Sequence, residues 1–142
     1  MLRVLVVEER PAVRDGLKRL LAGAGEITVV GEARGAGEAT DIARRVDCDL
    51  VVLGMAGPGP CSMDAVRELT AALPGLHVLA VGPAVLPDQA REVVAQGASG
   101  YLDICRARED LLKAIRVVSR GSVFVSAAAK APSRRGPAPV NT

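Results

Sequence analysis

Five short apolar runs punctuate the chain: Leu2–Val7, Ile27–Val30, Leu50–Leu53, Val78–Val81 and a brief Tyr101–Leu102. Each is rich in Val, Ile or Leu and too short for a buried helix, which predicts strands buried on both faces. Between them the apolar residues recur three and four apart, the period of an amphipathic helix. Val13, Leu17, Leu20 and Leu21 mark a first helix, with Pro11 in its first turn, where a missing N–H is harmless. Ala39, Ile42, Ala43 and Val46 mark a second, and Val66, Leu69 and Leu73 a third. Ala90, Val93 and Val94 mark a fourth that Gly97 is placed to cap, and Leu111, Ile115 and Val118 a fifth that stops before Gly121.

Strand–helix alternation of this kind predicts an α/β domain, a parallel sheet with right-handed crossovers and helices on both faces. After Gly121 comes a short β-prone piece, Ser122–Ser126, and then an Ala-, Pro- and Arg-rich segment without a core period. Residues 1–126 are therefore expected to form the domain, and 127–142 a disordered basic tail or linker.

Charge sharpens this division. The chain is net +2, but residues 127–142 hold Lys130, Arg134 and Arg135 with no acid, so residues 1–126 are net −1. A near-neutral body with one Tyr, one Phe and no Trp is a poor footprint for nucleic acid. Three cysteines without Cys-x-x-Cys spacing, no leader-like start and no apolar stretch near membrane length point to a cytoplasmic protein with no membrane contact.

The third run poses a chemical question. Ligands of open parallel sheets bind at the carboxyl ends of the strands, yet "DLVVLG" delivers Gly54, which has no side chain, to that edge. "VLVVEERPAVRDGLKRLL", "VVGEARGAGEA", "DLVVL…GPG" and "GASGYL" followed by "LLKAIRVVSRG" together resemble a response-regulator receiver domain, of the branch that usually precedes a LuxR/NarL-type helix-turn-helix. The resemblance spans roughly residues 2–126 and implies a flavodoxin-like, doubly wound sheet of five parallel strands in the order 2-1-3-4-5.

In that family an aspartate ending the third strand accepts a phosphoryl group, with an acid pair after the first strand holding Mg²⁺. A Thr or Ser after the fourth strand and a Lys after the fifth contact the phosphoryl oxygens. By the resemblance, those three positions are Gly54, Gly82 and Ile104 here, so no catalytic residue is expected. Only the acid pair survives, as Glu8 and Glu9, either a weak Mg²⁺ site or a solvated acidic strand end. Asp49, Asp64 and Asp103 are poor substitute acceptors: one is at the wrong edge, one is inside a helix, and one neighbours Ile104 and faces away from it. Tyr101 occupies the place of an aromatic that swings inward on phosphorylation, and is expected either to be locked in one rotamer or to cover the sheet edge.

Cys61 and Cys105 are expected in loops at the same edge, as filler rather than a redox pair. "GEARGAG" lacks the order of a dinucleotide-binding turn, and the lone His77 lacks partner ligands nearby in sequence. The reading is a degenerate, non-enzymatic pseudo-receiver without cofactor. It would act by protein contact within a transcriptional regulator and touch DNA only through an output domain absent from this chain. The alternative is a small-molecule sensor using the emptied pocket. Leu112 and Val117 lie off the fifth helix's apolar stripe, which suggests a homodimer face there.

Overall fold

The structure, a computed structural model, describes residues 1–56 and 60–126. The expected tail, 127–142, lies outside the described residues. Strands β1 (Leu2–Val7), β2 (Ile27–Ala33), β3 (Leu50–Gly54), β4 (His77–Gly82), β5 (Gly100–Asp103) and β6 (Phe124–Val125) alternate with helices α1 (Pro11–Ala22), α2 (Ala36–Arg45), α3 (Pro60–Ala72), α4 (Pro87–Ala95) and α5 (Ala107–Ser119). A turn of 3-10 helix, Ile104–Arg106, links β5 to α5.

Every strand pair is parallel and the order is 2-1-3-4-5-6. The doubly wound arrangement agrees with the expectation, but the strand count does not: there are six strands, not five. Phe124 and Val125 pair with Gly100 and Tyr101, and the Ser126 N–H donates to the Tyr101 carbonyl at 2.8 Å. That pairing is possible because position 100 is glycine, since a Cβ there would lie 2.5 Å from the Phe124 carbonyl oxygen. The β-prone piece after α5 thus gives β5 a second neighbour.

The period of two along each strand sorts side chains into two cores. Leu5, Val7, Val51, Leu53, Val78, Ala80 and Tyr101 pack beneath α2, α3 and α4. Val4, Val6, Leu50, Val52, Leu79, Val81 and Leu102 pack beneath α1 and α5. Burial of the middles of β1, β3, β4 and β5 on both faces is the physical reason those runs are continuously apolar. The edge strand β2, expected to be buried on both faces, is half-exposed along its middle because it has a neighbour on one side only. The strand β2 runs three residues past its apolar stretch, through a bulge that shifts its register between Val4 and Leu5. Gly31 then sits against Leu5 and Ile42, where a Cβ would be 3.2 and 3.0 Å from their side chains.

Helix ends follow the sequence signals. Pro11 opens α1, and Gly97 and Gly121 take positive φ (123° and 91°) just beyond α4 and α5. At the amino edge of the sheet Asp49 accepts from the Arg3 amide (2.8 Å), Nε (3.1 Å) and Nη2 (3.0 Å), which confirms that it stands opposite the edge where a receiver site forms. Val46, expected on the core stripe of α2, falls just outside that helix and is exposed.

The Gly100 contact sets a direct test. Gly100→Ala should lower stability by about 1–3 kcal/mol, because the added methyl must push the Phe124 backbone away. Amide exchange at Ser126 should accelerate more than exchange within β1 or β3. Unchanged protection at Ser126 would show that β6 does not depend on the missing side chain.

Candidate functional site

The carboxyl edge of the sheet gathers Glu8 and Glu9 after β1, Gly54 at the end of β3, Gly82 at the end of β4, and Asp103 and Ile104 at the end of β5. Glu8 is only 3% exposed although its neighbour Glu9 is exposed. A buried carboxylate needs charge and hydrogen-bond partners, and Arg10 provides both. Glu8 Oε2 accepts from the Arg10 amide at 2.8 Å and from Nε at 3.0 Å, while Oε1 accepts from Nη2 at 2.8 Å. This is the two-pronged guanidinium–carboxylate geometry that gives the stronger ion pairs. Burial alone would push the Glu8 carboxyl up. The hydrogen bonds and charge of Arg10 outweigh it and hold the group below the usual carboxylate range.

The Glu8 side chain lies in the space that a side chain at position 54 would need. A Cβ on Gly54 would fall 2.0 Å from Glu8 Oε1 and 2.8 Å from its Cδ. Glycine at the third strand's end and an inward Glu8 are therefore one feature. Both Glu8 oxygens face Arg10, so the acid pair, weighed as a weak metal site or a solvated strand end, is divided: Glu9 is solvated, whereas Glu8 is buried because its charge is paired with Arg10. Among the described residues no group of three or more His, Cys, Asp or Glu converges as metal ligands.

A second interlock lies one strand pair away. A Cβ on Gly82 would be 2.7 Å from the Tyr101 hydroxyl and 2.9 Å from the Met55 carbonyl oxygen. Tyr101 is fully buried, its ring within the α2–α4 core and its hydroxyl donating to the Pro83 carbonyl. Desolvation, helped by the nearby Asp103 carboxylate, pushes the phenol up to about 12. Tyr101 is thus turned inward and does not lie over the sheet edge as an exposed side chain.

Other residues stand apart from these contacts. Ile104 packs against the α1/α5 core. Asp103, itself buried, accepts from the Cys105 amide at 2.9 Å and so caps the 3-10 turn. Asp64 is exposed on α3 and paired with Arg67. Cys61 falls within the α3 span rather than in a loop, and Cys105 is exposed in the 3-10 turn. Leu112 is half-buried against the α1/α5 core, so it is not the leftover apolar surface its position off the stripe suggested; Val117 is half-buried on the same helix. Glu8 and Tyr101 occupy the space beside Gly54 and Gly82. What remains at this edge is a cavity of about 280 Å³, bordered by Glu8, Arg10, Arg34, Gly54 and Ser62 among others.

Sequence reasoning missed Arg10. Its position two residues after Glu8 was visible, but the resemblance drew attention to the acids as metal ligands.

Residues 4–116 match the family model of the response regulator receiver domain. The chain belongs to this family. Within it the receiver is of the NarL/LuxR branch: it is 32% identical over 126 residues to the response regulator GacA of Pseudomonas viridiflava, covering 89% of this chain and 59% of that protein. It is 29% identical over 125 residues to the nitrate/nitrite response regulator protein NarL of Escherichia coli K12, covering 88% and 58% respectively. The chain thus spans under two thirds of the length of these curated relatives. Among solved structures, a LuxR-family two-component response regulator from Aurantimonas sp. SI85-9A1 superposes with a TM-score of 0.80 at 29% identity, covering 89% of this chain and 91% of that one. The isolated receiver domain of RcsB from Salmonella enterica serovar Typhimurium, in the presence of a phosphomimetic, shares the fold at 18% identity (TM-score 0.78, covering 90% and 95%). The receiver is accordingly a regulatory domain of two-component signalling, not an enzyme.

Because Tyr101 is the sole tyrosine and there is no tryptophan, its state can be followed optically. Its folded pKa lies above the unfolded value near 10. Burial of the neutral phenol therefore contributes stability that is intact below about pH 10 and lost as pH rises toward 12. Absorbance at about 295 nm should show little tyrosinate while the receiver stays folded near pH 10, about the free phenol's pKa. Gly82→Ser should displace the hydroxyl and bring the titration back toward that ordinary value. An ordinary phenol titration in the wild type would contradict the buried position.

Proposed function

We propose that this receiver is a phosphorylation-independent regulatory domain of a cytoplasmic transcriptional regulator, and that it signals through protein contacts. The observation that carries this reading is the Glu8 carboxylate standing 2.0 Å from where a Cβ at position 54 would be, held there by Arg10. An acyl-phosphate acceptor needs a carboxylate at that place and cations aimed at the incoming phosphoryl oxygens. Here the place is occupied by Glu8, and the cation beside it is already neutralised. Gly82 and Ile104 supply neither hydroxyl nor charge.

Tyr101 supports the same reading. With no side chain at position 82, its hydroxyl has a permanent berth, and no phosphoryl group is required to draw it inward. The domain therefore presents one fixed surface to its partners. DNA contact is left to an output domain of the kind expected from the longer relatives. Self-association through α5 rests on Val117, since Leu112 packs inward.

Incubation with acetyl phosphate and Mg²⁺, followed by intact-mass measurement, tests this directly. No adduct should accumulate on the wild type, and Gly54→Asp alone should not create an efficiently phosphorylated protein. A stoichiometric adduct on the wild type, abolished by Asp64→Asn or Asp103→Asn, would overturn the reading.

A further inference from the structure

The sheet ends on one side at β2, which has β1 as its only neighbour among the described residues. At seven residues β2 is the longest of the described strands. An open edge of that length presents a row of unpaired backbone N–H and C=O groups, which proteins commonly guard with Pro, Lys or a short strand. Here the strand holds neither Pro nor Lys, Thr28 to Gly31 are uncharged, and Glu32 is tied to α1 of its own chain by Arg14 (2.8 Å) and Lys18 (2.6 Å). Its guard is a bulge at Val30, which the pairing with β1 passes over. On the α1 face a groove of about 470 Å³ runs beside this edge. Ile27 and Val29 form its floor, and Asp15, Lys18, Arg19 and Ala22 form its wall. Those four recur three and four apart, so they make one stripe of α1, turned toward the open edge. Asp15 and Arg19 are exposed and stand one helical turn apart, yet neither forms an ion pair or side-chain hydrogen bond among the described residues.

We propose that the β2 edge receives a second copy of this chain, β2 against β2 and antiparallel, so that two sheets become one. A two-fold interface sets the same patch of each copy against itself, and it is favoured where that patch is self-complementary. An antiparallel edge-to-edge joint has its two-fold axis perpendicular to the sheet, which puts both α1 helices on one face, running in opposite directions. Asp15 of one copy then comes opposite Arg19 of the other, and the contact occurs twice. The backbone groups of the edge supply the pairing, and the charges on the wall select the partner and the direction. An unrelated strand would meet the backbone groups without answering both charges. This surface lies at the opposite end of the sheet from β6 and does not include Val117.

The test is sedimentation of the full chain over a rising concentration series, with circular dichroism to confirm that each variant is folded. The wild type should form a reversible dimer that weakens as salt screens the exposed charges. Asp15→Arg alone, or Arg19→Asp alone, sets like charges against each other across the joint and should weaken the dimer at least about tenfold. The two substitutions together regenerate both contacts and should restore it. Amide exchange along Ile27–Ala33 should slow as the dimer forms, and Val117→Glu should leave the dimer intact. A chain that stays monomeric at high micromolar concentration would overturn the proposal and leave the edge to a strand of another protein. Failure of the double variant to restore the dimer, unchanged exchange along β2 on dimerisation, or loss of the dimer with Val117→Glu would each overturn it as well. None of these outcomes depends on phosphoryl transfer, so an adduct with acetyl phosphate would count against the proposed function alone.

Discussion

The carboxyl edge of this domain is organised by one ion pair. Glu8 follows directly from a strand buried on both faces, so its side chain leaves the core at a point where few waters reach it. An unpaired carboxylate there would be costly, and Arg10, two residues on, folds back to bond both of its oxygens. Once that pair exists, the end of β3 has no room for a side chain, and glycine is the residue that fits. Glycine at position 54 and the inward turn of Glu8 follow from the same contact.

A similar logic joins Gly82 and Tyr101. A large ring that is fully buried at the sheet's edge must place its hydroxyl on an acceptor, and the Pro83 carbonyl is reachable only because position 82 lacks a side chain. Two glycines thus let two neighbouring side chains turn inward, and the edge becomes an extension of the core.

The periodicity of the sequence was enough for five strands, five helices and the two-sided burial of β1, β3, β4 and β5, because continuous Val, Leu and Ile runs have few other homes in a domain this small. It was not enough for β6, a two-residue strand that exists through its pairing with β5 at Gly100. The end of β2 was hidden by Gly31 and Glu32, which a bulge brings into register despite their polarity. Leu112 looked surplus because a stripe about 100° wide suffices for a helix on a sheet, whereas α5 also packs beside α1 and buries a broader face. At the site, the resemblance singled out Glu8, Gly54, Gly82 and Ile104 residue by residue. The pair that Glu8 forms beside Gly54 could not be read, since Arg10 acts through a side-chain rotamer that leaves no periodic trace.

The interdependence of Glu8 and Gly54 is the centre of this account, and a double-mutant cycle on folding stability measures it. Gly54→Ala in the wild type should cost about 1–3 kcal/mol, because the methyl group evicts a buried, hydrogen-bonded carboxylate. In the Glu8→Ala background the same substitution should be neutral or slightly stabilising, as a strand residue without positive φ gains from the loss of glycine's unfolded-state entropy. The coupling between the two positions should then exceed about 1 kcal/mol. Additivity within about 0.5 kcal/mol would mean that Glu8 does not occupy the place of the missing side chain.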